Sequence, residues 1–218
     1  IRFRVKRGIY WSDGVEFTAE DVVFTIMLHK NVTGLSYHAL YNKWIERAYT
    51  EDKYTVVIEL KEPSPKFHVQ LSCIVGWSGL LPMPKHIYEK VENPLTFNFF
   101  PPVGTSPYVP KDYDPEGYWF LYERRDDWYR TGTGKTYGKP KPKYILKIYY
   151  GGDEKDIIAV SRHELDAGEV AHDVLDSVLK ASPYARGWWK GFPYTRQAVC
   201  CAGMFFNTAK YPLNITDV

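Results

Sequence analysis

The sequence has few cysteines, and their arrangement excludes a disulfide-stapled scaffold. Its 218 residues include only Cys73, Cys200 and Cys201. An odd number of cysteines cannot all pair within one chain, and adjacent cysteines bridge each other only with strain. We therefore interpret all three as buried free thiols, which neither require nor exclude an oxidising compartment.

The sequence also lacks an excess of charge of one sign and any long apolar run. Its 28 basic and 26 acidic residues leave a net charge of +2, which gives no reason to expect a nucleic-acid partner. The longest apolar run, residues 22–28, is interrupted by Thr25 and is far too short to span a bilayer.

No set of residues with catalytic or metal-binding spacing is evident. The run Gly132-Thr133-Gly134-Lys135-Thr136 is like the end of a phosphate-binding loop, but Tyr129 stands where that motif needs glycine. We interpret residues 131–143 as a polar, basic loop. His163 and His172 lie nine positions apart, whereas two ligands on one helix face need a spacing of four. The sequence therefore predicts no catalytic residue, no metal and no cofactor.

Cys200 and the run at residues 124–127 also have structural rather than catalytic interpretations. Cys200 has no neighbouring base in the sequence, so we expect an inert thiol rather than a nucleophile. The mixture of Arg124 and Arg125 with Asp126 and Asp127 predicts a solvated turn rather than an acid/base pair.

Aromatic residues are abundant, with 18 Tyr, 11 Phe and 7 Trp. Tyrosine and tryptophan combine an apolar body with a polar tip, so they suit partly hydrated binding surfaces as well as cores. We expect about two-thirds of the aromatic side chains to lie in the core, since these residues dominate core energetics.

Apolar periodicity and turn residues predict a mixture of helices and strands. Thr18 is a candidate amino-terminal cap for the first helix, with Asp21 three residues on. The predicted strands cover residues 1–5, 54–60, 108–111, 118–124, 144–150, 165–167 and 198–207, and the predicted helices cover residues 19–29, 66–73, 84–91, 153–163 and 173–181. Their irregular alternation is typical of an α/β or mixed α+β layered fold.

Several short motifs follow one another in a fixed order along the chain. They are Trp11-Ser12-Asp13-Gly14 with residues 17–23, then residues 81–86, 104–108, 123–129, 164–169 and 206–213. Together they resemble the family 5 extracellular solute-binding proteins of ABC importers, the oligopeptide- and dipeptide-binding type. Glu16 stands where that family usually has proline, and Tyr10 where lysine is common.

The resemblance implies a periplasmic-binding-protein-like fold of type II, in the cluster with an extra domain. Residues 1–103 would form most of that extra, satellite domain of the first lobe. Residues 104–198 would belong to the first ligand-binding lobe, and residues 199–218 would form a strand leading to the hinge and second lobe. Family members are much longer, so the resemblance implies an internal piece without the carboxy-terminal lobe.

The resemblance also implies a function. It predicts a non-enzymatic, extracytoplasmic component that captures oligopeptides and delivers them to the membrane subunits of an ABC permease. Binding of β-linked oligosaccharides is an alternative that the aromatic content favours, and a sensory or chaperone-like module without transport is a second. We expect a monomer at the periplasmic or cell-surface side, with any membrane anchor in a segment outside this sequence.

The candidate ligand-binding residues lie on the strand that the resemblance places beside the hinge. This strand contributes Cys200, Cys201, Gly203 and Met204. Glycine inside a strand often marks the close approach of a ligand or another backbone, and methionine adapts to variable ligands. A buried strand with a packing glycine is the alternative. The next candidates are Trp77, Trp188 and Trp189.

Overall fold

Two three-stranded antiparallel sheets, each with its own helices, form the described part of the molecule. The computed structural model describes residues 1–72, 80–151, 153–168, 175–182 and 186. The first sheet has the strand order β1-β3-β2 and the second the order β4-β5-β6. The predicted mixture of helices and strands is therefore confirmed.

The amino-terminal part contains the first sheet and four helices. Its elements are β1 (Arg2–Arg4), α1 (Ala19–Asn31), α2 (His38–Trp44), β2 (Ile45–Asp52), β3 (Thr55–Leu60), α3 (Phe67–Ser72) and α4 (Lys85–Tyr88). β3 is the central strand and pairs with β1 and with β2. The strands predicted at residues 1–5 and 54–60 are confirmed within one or two residues.

The main core lies between α1, α2 and the first sheet. α1 contributes Val22 and Ile26, and α2 contributes Tyr41, which is fully buried. Val56 and Ile58 of β3 are also fully buried. They lie two residues apart and therefore point to the same face of the strand. Each such aliphatic side chain contributes roughly 1.5–3 kcal/mol through burial.

A reciprocal cap fixes the start of α1. The side-chain hydroxyl of Thr18 accepts a hydrogen bond from the Glu20 amide at 3.3 Å, and Asp21 Oδ2 accepts one from the Thr18 amide at 2.9 Å. Each bond satisfies a backbone N–H that the helix itself leaves without a partner. The predicted cap is confirmed, and the helix extends two residues beyond the predicted end at His29.

The carboxy-terminal part contains the second sheet. Its elements are β4 (Tyr108–Tyr113), β5 (Trp119–Arg124), a 3-10 turn (Trp128–Arg130), α5 (Gly132–Tyr137), β6 (Tyr144–Ile148), α6 (Asp153–Ser161) and α7 (Leu175–Ala181). The hairpin predicted from Tyr108 to Arg124 is confirmed. No helix among the described residues is long and apolar enough to cross a membrane.

Two predictions of local structure were wrong. The predicted loop at residues 131–143 begins with the short helix α5, because the hydroxyl of Thr131 caps it by accepting from the Gly134 amide at 3.0 Å. The helix ends where Gly138 takes a φ of +80°. Residues 165–167 do not form the predicted strand, and residues 166 and 167 form a bend.

Two elements were not predicted. α2 has only seven residues, and its preceding residue, Tyr37, makes no side-chain capping bond. β2 carries mostly polar side chains and is largely exposed. The strand predicted at residues 198–207 lies outside the described residues.

The cap of α1 predicts a measurable loss of stability. Thr18→Ala removes the hydroxyl acceptor and should lower the free energy of unfolding by about 1 kcal/mol. Thr18→Ser keeps the acceptor and serves as the matched control, with a smaller change. Urea unfolding of the three proteins measures both effects. Equal midpoints for the alanine variant and the wild type would show that the cap contributes nothing.

Candidate functional site

A buried arginine joins the two parts of the chain. Arg125 follows β5 directly, and its side chain is only 4% exposed. Nη1 donates to the carbonyl oxygens of Tyr10 at 3.2 Å and Gly104 at 3.4 Å, and Nη2 donates to that of Trp11 at 3.0 Å. The guanidinium thus holds three backbone carbonyl groups from two separate stretches of sequence, residues 10–11 and residue 104.

Asp127 completes the partners of Arg125. Its two carboxylate oxygens each accept one hydrogen bond, from Nε and Nη2, both at 2.8 Å. The hydrogen bonds from Arg125 lower the pKa of Asp127, so the carboxyl stays ionised at neutral pH. The interpretation of residues 124–127 as a solvated turn is therefore wrong for Arg125, because its charge is buried and paired.

We call the contact of Arg125 with Asp127 and with the backbone of residues 10, 11 and 104 the joint. The turn at residues 11–14 forms its other side. The Trp11 amide donates to the Val15 carbonyl at 2.8 Å, and Gly14 has a φ of +90°. The Trp11 ring is buried and contacts Phe17 edge to face at 5.6 Å between centroids. Ser12 Oγ accepts from the Gly104 amide at 3.2 Å. The turn is therefore bound to the second part through its backbone and through Ser12.

The segment at residues 81–86 docks on the first turns of α1. The Met83 amide donates to Thr25 Oγ1 at 2.7 Å, and the Lys85 amide donates to Asp21 Oδ1 at 3.0 Å. Asp21 therefore uses one oxygen for the helix cap and the other for this segment. A second link joins His86 Nε2 to Asp13 Oδ2 at 2.7 Å, in the turn described above.

Glu16 is an acidic group just after the turn at residues 11–14, and it is paired with two residues that precede and begin the stretch into β3. It accepts from Lys53 Nζ and from the Tyr54 hydroxyl, each at 2.7 Å. The bond from Lys53, followed by that from Tyr54, lowers the pKa of Glu16. A carboxylate held ionised in this way links the stretch before α1 to the turn between β2 and β3 and is not suited to donating protons.

A groove of 510 Å³ opens beside the joint. Its apolar wall includes Phe3, Ile9 and Val22, and its polar groups include Thr105 and Thr133. The volume lies within the range of ligand pockets, which are mostly apolar with a few polar groups.

The aromatic side chains are less buried than we expected. Among the described residues, only Trp11, Tyr41 and Phe67 are buried aromatics. Nine are exposed, namely Tyr49, Phe100, Tyr113, Tyr118, Phe120, Tyr129, Tyr137, Tyr144 and Tyr149. The prediction of a mostly buried set is wrong for this part of the chain, because all five residues of β6 are exposed and much of the second sheet is uncovered.

The seven predicted ligand-binding residues lie outside the described residues. They are Trp77, Trp188, Trp189, Cys200, Cys201, Gly203 and Met204. Within the ranges that the structure describes, no three His, Cys, Asp or Glu side chains are grouped as a metal site would require.

The family assignment follows from a match along the whole chain. A family model described as the middle part of the bacterial extracellular solute-binding proteins, family 5, matches residues 1–218. The chain belongs to this family. Members are described as extracellular solute-binding proteins, so the resemblance inferred from the sequence is confirmed.

Curated relatives share this family and are much longer. A Brucella ovis protein, by name a peptide-binding protein of an ABC transporter, is 29% identical over 77% of this chain and 29% of its own length. The oligopeptide-binding protein AppA of Bacillus subtilis is 29% identical over 58% of this chain and 23% of its own length. The chain thus spans less than a third of the length of these relatives.

A solved structure has the same fold. The periplasmic oligopeptide-binding protein of a Thermotoga maritima ABC transporter matches 98% of this chain and 38% of its own, with a TM-score of 0.80 and 28% identity. The same protein has also been solved with mannohexaose bound. The predicted fold class, a type II periplasmic-binding-protein-like fold, is confirmed.

The buried geometry of Arg125 predicts a large effect of a mild substitution. Arg125→Lys keeps the positive charge but loses the planar guanidinium, whose N–H groups donate to Asp127 and to three carbonyl groups. It should lower the free energy of unfolding by roughly 3 kcal/mol, as expected when a buried pair is broken.

The matched control is Arg47→Lys. Arg47 also binds a carboxylate through two nitrogens, with Glu59 at 2.6 Å and 2.8 Å, but its side chain is 65% exposed. This substitution should cost less than about 1 kcal/mol. Urea unfolding compares the two, and equal losses would contradict a special role for the buried arginine.

Proposed function

We propose that the protein is the extracytoplasmic solute-binding component of an ABC importer, and that it captures oligopeptides and delivers them to a membrane permease. The observation that carries this proposal is the family match over residues 1–218, together with the TM-score of 0.80 to an oligopeptide-binding protein. The peptide-binding names of the curated relatives support the same ligand class.

Oligosaccharide capture is the second candidate. The Thermotoga maritima protein of the same fold has been solved with mannohexaose. In this chain nine aromatic side chains are exposed among the described residues, and such rings can pack on the apolar faces of sugars. A glycan ligand would therefore be recognised by ring contacts rather than by backbone pairing.

The proposed mechanism is closure of two lobes on the ligand. Hinged closure buries a ligand between domains, and an extended peptide can be held as an added strand at a sheet edge. Residues 1–103 would form the satellite domain and residues 104–198 part of the first lobe. The strand with Cys200, Gly203 and Met204 would lead to the hinge and line the cleft, beside Cys201.

Trp77, Trp188 and Trp189 complete the proposed ligand contacts. Large aromatic side chains supply much contact area with a polar handle. We further propose a monomer at the periplasmic or cell-surface side that partners the permease subunits. The proposed role requires no cofactor and no turnover of the ligand.

Calorimetric titration of the full-length protein tests this function. Titration with a mixture of short peptides should show saturable binding, and titration with mannohexaose decides the second candidate. Saturable binding of mannohexaose alone would replace the peptide assignment by the glycan one. Steady cleavage of either ligand, or no binding of either by folded protein, would contradict the proposal.

A variant in the proposed cleft strand tests the site within the same experiment. Gly203→Val should weaken ligand binding at least tenfold, about 1.4 kcal/mol, while the thermal midpoint without ligand changes little. Gly14→Val, at a turn glycine with φ of +90° that is not among the proposed ligand contacts, should instead lower the midpoint and leave the affinity of the folded protein unchanged. If Gly203→Val instead lowers the thermal midpoint strongly and binds ligand with normal affinity, then Gly203 is a core residue and not a ligand contact.

A further inference from the structure

The positive charge of this protein is concentrated in two segments that contain no acid. Residues 128–152 hold six cations and no aspartate or glutamate, and residues 1–12 hold four cations and none. Subtracting the first six from the 28 basic residues leaves 22 against 26 acidic residues. The rest of the chain is therefore net negative, although the whole is nearly neutral.

The fold brings the two basic segments together. Lys6 Nζ donates to Thr136 Oγ1 at 2.9 Å, and Lys135 Nζ donates to the Arg7 carbonyl at 3.0 Å. Both contacts join the stretch after β1 to α5. The exposed cations Lys6, Arg7 and Lys135 thus lie on one surface.

The loop after α5 extends this surface and is held in place. Arg124 Nη1 donates to the carbonyl oxygens of Pro140, Lys141 and Pro142 at 2.7, 2.8 and 3.0 Å. The Tyr108 hydroxyl donates to the Pro142 carbonyl at 2.7 Å. The backbone of the loop is fixed, while the side chains of Lys139 and Lys141 are exposed.

Among the described cations that form no ion pair, five lie around α5 and the loop that follows it. They are Lys6, Arg7, Lys135, Lys139 and Lys141, and we call them the basic patch. All of the described ion pairs involve other cations, such as Lys111 and Lys143 with Glu123. The positive potential of the patch is therefore available to an external anion.

Exposed tyrosines accompany the basic patch. Tyr137, between Lys135 and Lys139 in sequence, is 84% exposed, and Tyr129 is 57% exposed. A tyrosine ring with an apolar body and a polar tip is the side chain typical of membrane–water interfaces. The patch therefore combines the two kinds of side chain that bind at a charged lipid surface.

We propose that the basic patch, with Tyr137, docks the protein on a membrane surface rich in anionic lipid headgroups. Four of its five cations are lysines, which act as hydrated point charges rather than forks for one carboxylate. Such charges suit a plane of diffuse negative charge, where each cation adds to the attraction. The proposal does not depend on which solute the protein transports.

Sedimentation with lipid vesicles tests this docking. The full-length protein, without any lipid anchor, should bind vesicles of phosphatidylglycerol and phosphatidylcholine, bind pure phosphatidylcholine weakly, and dissociate as salt is raised. The double variant Lys139→Glu with Lys141→Glu should lower the partition coefficient at least about tenfold. Tyr137→Ser should lower it by a smaller factor.

The matched control reverses two exposed lysines outside the patch. Lys66→Glu with Lys90→Glu makes the same change in net charge and should leave vesicle binding close to that of the wild type. An equal loss of vesicle binding in both double variants would show that only the net charge of the protein matters, and it would overturn the proposal. Binding of soluble polyglutamate without binding of vesicles would also overturn it, in favour of an acidic protein partner.

Discussion

The buried guanidinium of Arg125 is the interaction on which the described structure depends. It makes five hydrogen bonds and lies in a position where its side chain is 4% exposed. An unpaired charge at a buried position would strongly lower the stability of the fold, so the groups that bind the guanidinium must stay in position. The Tyr10, Trp11 and Gly104 carbonyls and Asp127 are therefore fixed together.

This constraint explains why motifs far apart in sequence are neighbours in space. The turn at residues 11–14 meets residue 104 through Arg125 and through Ser12. The segment at residues 81–86 reaches the same region through Asp13 and Asp21. A joint of this kind holds the first sheet and the second sheet together as one unit.

The elements predicted correctly from the sequence carry local signals. The cap at Thr18 and the β-branched run of β3 are examples, since both depend on residues next to them. Two elements were not predicted because distant residues stabilise them: α2 is held by the burial of Tyr41, and β2 by its pairing with β3. α5 was mistaken for a loop because its cap, Thr131, precedes a glycine-rich run that predicts a turn.

The sequence indicated the family but did not indicate the joint around Arg125. Arg124 and Arg125 are adjacent and chemically identical, yet Arg125 is buried in the joint while Arg124 binds the loop of the basic patch. The position of Arg125 just after β5 and the fold of distant segments decide between them, and the sequence displays neither. The proposed ligand contacts at residues 188–204 depend on the family resemblance and stay a prediction.

Native-state hydrogen exchange tests the role of Arg125 most directly. If the guanidinium joins the two parts into one unit, the slowest amides of β3 and of β5 should open with the same free energy and the same denaturant dependence. In Arg125→Gln, the β5 amides should open at a lower free energy than those of β3. Separate opening of the two strands in the wild type, or unchanged joint opening in the variant, would contradict the account.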